Sequence, residues 1–129
     1  MKMTSAKLEH VNVTVSDPAA TAAMLQQVFG WHTRWHGDAM NGGTTYHVGD
    51  ADSYVALYTP RQALGNPPDS YSTPASLNHI GITVDDLDAA EARVKAAGFT
   101  PVNHGDYEPG RRFYFLDADG VEFEVVSYR

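Results

Sequence analysis

Cysteine is absent from this 129-residue chain, which excludes disulfides and thiolate metal sites. Basic residues are few: nine Lys and Arg stand against sixteen Asp and Glu, a net charge of −7. That balance excludes a nucleic-acid surface, which needs clustered cations to meet phosphates. No apolar run approaches the roughly 20 residues of a membrane span, and Met1 to Lys7 has no apolar signal-peptide core. The expectation is an acidic, soluble protein of the cytoplasm. It is a single domain over 1–129, long enough to bury a core without staples.

What the chain does contain is a repeat. Leu8-Glu9-His10-Val11-Asn12-Val13-Thr14-Val15 returns as Leu77-Asn78-His79-Ile80-Gly81-Ile82-Thr83-Val84. Leu, His, Thr and Val recur at matched places, with Val/Ile exchanges at two more. Both copies alternate, which reads as a strand with one face on a core. Val11, Val13 and Val15, or Ile80, Ile82 and Val84, take that face. His10 and His79 take the other, at equivalent positions.

The remainder repeats as well. Asp17-Pro18 starts a helix over 17–29 that Gly30 ends; Asp85-Asp86 starts one over 86–97 that Gly98 ends. Trp31 to Trp35 and Phe99 to Asn103 read as matched strands, followed by His36-Gly37 and His104-Gly105. Thr44–Val48 with Tyr54–Tyr58, and Arg112–Leu116 with Val121–Ser127, read as hairpins. The second is turned by Asp117-Ala118-Asp119-Gly120. Residues 60–76 carry four prolines and no periodicity, so they form a linker that can act as a lid or an interface. The loop Asp106 to Arg111 is expected to overhang the cavity.

The fold class is therefore α+β: βαβββ modules at 7–59 and 77–128, joined by the 60–76 linker. One such module cannot cover both faces of its sheet. Two modules can form a cupped, eight-strand mixed sheet with helices outside and a cavity inside. Alternation on the last strand sends Phe123 and Val125 to the helices, and Glu122 and Glu124 to the cavity. Glu122 reads as a solvated rim residue.

With these motifs, and with Phe113-Tyr114-Phe115-Leu116-Asp117-Ala118-Asp119-Gly120-Val121-Glu122-Phe123-Glu124, the chain resembles the vicinal oxygen chelate superfamily. That superfamily includes glyoxalase I, extradiol dioxygenases, fosfomycin-resistance and bleomycin-resistance proteins. The resemblance implies metal ligands at His10, His79 and Glu124, and one divalent ion from among Fe, Mn, Zn, Co and Ni. It implies a small substrate chelating through adjacent oxygens, and lyase, isomerase or oxygenase chemistry. Module one ends on Val55-Ala56-Leu57-Tyr58, without the second carboxylate usual in glyoxalase I. Tyr114, ten residues before Glu124, matches a tyrosine of extradiol dioxygenases; His104 falls near the place of one of their histidines.

Tyr114 is thus a candidate proton or hydrogen-bond donor, and Arg112 and His47 are candidates for substrate binding. The alternative is a metal-free sequestration protein of the bleomycin-resistance type, its aromatic pocket lined by residues such as Trp31, Trp35, Tyr46 or Tyr114. The partners expected are a small molecule and, if the site is completed between chains, a second copy in a homodimer.

Overall fold

The computed structural model describes residues 2–128; Met1 and Arg129 lie outside the described residues. The chain divides into two compact units, Met1–Gln26 with Gly30–Leu64, and Gln27–Phe29 with Gly65–Arg129. The first module runs β1 (His10–Thr14), α1 (Pro18–Phe29), β2 (His32–Asp38), β3 (Thr44–Gly49) and β4 (Tyr54–Thr59), with a short 3-10 turn at Met40–Gly42. The second runs β5 (Ile80–Thr83), α2 (Leu87–Ala96), β6 (Val102–Tyr107), β7 (Gly110–Leu116) and β8 (Glu122–Ser127). Each module makes one four-stranded mixed sheet, ordered β1-β4-β3-β2 and β5-β8-β7-β6. This is the α+β, βαβββ architecture that the repeat implies.

The helix boundaries follow from local chemistry. Asp17 Oδ1 accepts from the Ala20 N–H at 3.1 Å, and Asp86 Oδ1 from the Ala89 N–H at 3.0 Å. Each satisfies a donor that a helix start leaves open, worth about 1 kcal/mol. Gly30 then stops α1 in the left-handed region (φ 71°). After α2, Gly98 (φ 94°) turns the chain so that the Phe99 N–H reaches the Val94 carbonyl at 3.1 Å.

The second strand of each module departs from expectation. β2 begins at His32 and runs on to Asp38, and β6 begins at Val102 rather than at Phe99. Pro101 has no N–H to give a ladder, so pairing starts behind it. The expected overhanging loop is instead strand: Asp106 pairs with Arg111 and Tyr107 with Gly110, leaving a two-residue turn at Glu108-Pro109 with a cis peptide.

Both second strands also carry an extra residue. Thr33 and Trp35 oppose the consecutive residues Val48 and His47, so Arg34 is inserted. Val102 and Gly105 oppose Tyr114 and Arg112, so one residue is inserted at 103–104, where Asn103 has φ 54°. Such bulges reset which face the following side chains take.

In the first unit Val15, Leu25, Val48 and Leu57 are almost wholly buried. Val11, expected with them, is 38% exposed, on β1 at the edge of this unit's sheet. In the second unit Phe113, Phe115 and Phe123 are fully buried where β7 and β8 meet α2, whose Ala90 and Val94 are buried too. Phe115 stacks on Phe123 at 5.1 Å, and Phe29 and Phe99 lie tilted against Phe115. Each buried phenylalanine contributes about 1.5–3 kcal/mol. This core holds one face of β7 and β8 rigid, so the opposite face can carry polar groups.

Candidate functional site

That opposite face is built around His79. Its Nε2 lies 3.0 Å from Glu124 Oε1, and its Nδ1 lies 2.6 Å from Asn78 Oδ1. Both ring nitrogens thus face oxygen acceptors, although a neutral imidazole has only one proton. With the proton on Nδ1 toward Asn78, the Nε2 lone pair points at the carboxylate. The same device stands in the first unit, where His10 Nδ1 meets Glu9 Oε1 at 2.9 Å. In each copy the residue before the histidine offers an oxygen to Nδ1, and a proton held there would leave Nε2 as the ligating nitrogen.

Glu124 also accepts from Arg112 Nη1 at 2.9 Å, both side chains being about seven-eighths buried. Tyr114 pairs directly opposite Glu124, and its ring meets that of His79 edge-on at 5.9 Å. Burial, and then the Glu124 charge, raises the Tyr114 phenol above its ordinary range. It therefore stays protonated and can donate.

Glu122 is not the solvated rim residue expected. Only 17% of its side chain is exposed, it lies 3.8 Å from His79 Nδ1, and it accepts from the Tyr71 hydroxyl at 2.5 Å. That bond pushes the Tyr71 phenol up to about 12. Tyr71 comes from the linker, in a turn where Asp69 accepts from the N–H groups of Tyr71, Ser72 and Thr73. Neither Tyr71 nor Asn78 was singled out by the sequence. The recurrence of a side-chain acceptor before each histidine was the signal available for Asn78.

In the first unit, the His10 face is aromatic. His10 stacks on Tyr54 at 4.8 Å, Tyr54 on His47 at 4.6 Å, and Trp35 tilts against His47 at 5.2 Å. Arg34 lies over Tyr54 at 4.7 Å. Strict alternation would separate Arg34 from Trp35, but the bulge puts both on this face. Burial, then the nearby His10 and Arg34 charges, lower the His47 pKa. A neutral imidazole results.

Register identifies the repeat partners residue by residue. Asn12 pairs with Ala56 as Gly81 pairs with Glu124, and His47 pairs with Ala56 as Tyr114 pairs with Glu124. Ala56 is therefore the first module's counterpart of Glu124: a methyl where the second module has a carboxylate. One further place was missed. Thr45, the counterpart of Arg112, has a buried hydroxyl with no partner, beside a hollow of about 270 Å³ that Asn12, Met40 and Tyr58 also line.

His104 faces elsewhere. Its Nε2 pairs with Glu91 of α2 at 2.7 Å, and its ring tilts over the core residue Phe113. The bulge at Asn103 sends it to the helix side of β6, away from His79, so it is not the dioxygenase-like histidine. Within the second unit, an imidazole nitrogen and a carboxylate oxygen converge, two of the three donors expected for a borderline divalent ion. His10 belongs to the other unit, and among the described residues no group of three such donors is assembled.

Paired βαβββ modules, with a histidine before or at the first strand of each and a carboxylate on the last, define a class of protein. The profile of the Glyoxalase/Bleomycin resistance protein/Dioxygenase superfamily matches residues 7–125, and the chain belongs to that family. No curated protein matches it in sequence. Among solved structures it is similar to a glyoxylase/bleomycin resistance protein/dioxygenase domain from Frankia sp. EAN1pec, at 21% identity and TM-score 0.82, covering 98% of this chain and 100% of that one. It is similar to the fosfomycin resistance protein FosX of Listeria monocytogenes, solved with Mn(II) and sulfate, at 21% identity and TM-score 0.72, over 96% and 93% of the two chains. FosX of Mesorhizobium loti gives 23% identity and TM-score 0.70, over 95% and 92%.

Proposed function

We propose that the protein is a divalent-metal-dependent enzyme acting on a small molecule that chelates through adjacent oxygens. The observation that carries this reading is His79: Nδ1 is held by Asn78 while Nε2 confronts the carboxylate of Glu124. His79 and Glu124 would be two ligands and His10 the third, brought together within one chain or across a homodimer. The Mn(II) seen in the Listeria FosX structure supports a metal at such a fold. When bound, the ion would act as a Lewis acid on the substrate's oxygens.

The chain's own groups have separable tasks. Asn78 keeps the imidazole in the tautomer that presents Nε2. Arg112 balances the charge of Glu124 and fixes its orientation. Tyr114, kept protonated, donates a hydrogen bond or proton to a substrate oxygen, which favours a lyase or isomerase step. With His104 on the helix side, ring-cleaving oxygenase chemistry ranks lower.

Elemental analysis of protein purified without chelator or nickel resin tests the reading. About one ion per site is expected in the parent and none in His79→Ala or Glu124→Gln; a metal content unchanged by both substitutions refutes it. The second reading, metal-free sequestration, is favoured by the stacked His10-Tyr54-His47-Trp35 face, which suits flat ligands. Small-molecule binding that survives chelator treatment undiminished would select it.

A further inference from the structure

We infer that Arg112 grips an oxyanion, a carboxylate or phosphonate group of an acidic substrate, through the Nε–Nη2 edge of its guanidinium. The inference rests on reading the His79 face as the reaction face, and it names the substrate class that face would take.

Arg112 occupies β7, flanked by β6 and β8, where it pairs opposite Gly105 and Val126. Nη1 is engaged by Glu124, yet Nε and Nη2 are buried and have no partner. These two atoms are not scattered. In a planar guanidinium the Nε–H and one Nη2–H run parallel along a single edge, spaced for two oxygens that share a charge. Glu124 has taken the one nitrogen that leaves this edge whole. A buried charged donor without an acceptor carries an uncompensated desolvation cost, which a bound oxyanion would remove.

The neighbour on the guanidinium face is also identifiable. The Tyr107 ring lies over the guanidinium at 4.9 Å and is itself 60% exposed, so it can swing away without disturbing the core. It reaches that position because residue 105 is glycine: a Cβ there would stand 2.6 Å from the ring. The face already carries Glu122 and Glu124, so Arg112 is what makes it accept a negative group. A substrate with no oxygen acceptor to offer would leave the fork empty.

Acetate and methylphosphonate are the probes, each titrated into zinc-loaded and metal-depleted protein. The readouts are the Arg112 Nε–H resonance and calorimetric affinity. The expected result is a saturable shift of that resonance, with affinity at least tenfold weaker in Arg112→Lys, which keeps the charge but loses the fork. Whichever probe binds more tightly identifies the group. Tyr107→Ala, which removes the ring lying over the guanidinium, should tighten binding severalfold, and it keeps the test intact should Arg112→Lys fail to fold. An Nε–H resonance that neither anion moves, or equal affinity in all variants, overturns the inference. Binding only in the zinc-loaded state with that resonance unmoved also overturns it, while sparing the metal reading. A shift in protein that cannot take up zinc does the reverse.

Discussion

Replacing Glu124 with alanine should destabilise the metal-depleted protein, and the structure gives the size. The carboxylate accepts from Arg112 at 2.9 Å, and the two side chains are only 14% and 13% exposed. Without it, a guanidinium whose Nε and Nη2 already lack partners would be buried with no acceptor at all. Removing one member of a fully buried pair costs about 3–5 kcal/mol. The residual exposure and the Tyr107 ring over the cation reduce this to roughly 2–3 kcal/mol. For a domain of this length, that is a fall in Tm of roughly 8–12 °C. Glu124→Gln keeps an acceptor and should cost only about 1 kcal/mol. Urea and thermal unfolding at pH 7, after exhaustive removal of metal, measure both. Arg112→Met in the Glu124→Ala background should restore part of the loss, because the orphaned charge is gone. If Glu124→Ala melts with the parent, the pair is solvated in solution, and the account of Arg112 as a buried, pinned cation is wrong.

Metal affinity should fall at least tenfold in His10→Ala and be unchanged in His104→Ala, as read by competition with a chromophoric chelator; equal effects would misplace the ligand set. Tyr71→Phe should remove the phenol that ionises at about 12 from a 295 nm titration. The hydroxyl's contribution is fully present below the ordinary tyrosine value of 10.0 and is lost as pH rises through about 12, so the variant's stability should differ from the parent's below that window only. Asp117 is raised above 3.8 chiefly by burial, so its favourable state is the protonated one. Its contribution is complete below 3.8 and lost as pH rises past the raised value; Asp117→Asn should flatten that fall. Asp117→Ala should instead cost about 1–2 kcal/mol, because Oδ1 accepts from the N–H groups of Asp119 and Val121. Asp17→Ala, removing the α1 cap, should cost about 1 kcal/mol in urea unfolding.

The repeat made the fold legible, because two copies of an alternating segment with a matched histidine constrain more than one copy does. It also placed Glu124, since alternation from the buried Phe123 and Val125 fixes its face. His47 and Tyr114 were correctly matched, and the register now supports that match through their common partners Ala56 and Glu124. The second strands were misjudged because a bulge is a backbone event with no composition of its own: Arg34 and Asn103 are ordinary residues for a strand. Tyr71 was invisible for a different reason. Residues 60–76 have no period, so nothing local says which of their side chains will meet Glu122.

The bulges have a consequence for how such a scaffold diversifies. An inserted residue in a strand acts like a frameshift in side-chain orientation: everything beyond it changes sides while its chemistry stays the same. At Asn103, one residue decides that His104 serves the helix layer rather than the layer with His79 and Glu124. Ironing the bulge out into a regular ladder through Asn103 and His104 would exchange those allegiances and offer a second imidazole to that layer, with no residue changed. Sequences compared by residue identity alone would register no difference, although the set of side chains available for chemistry had changed.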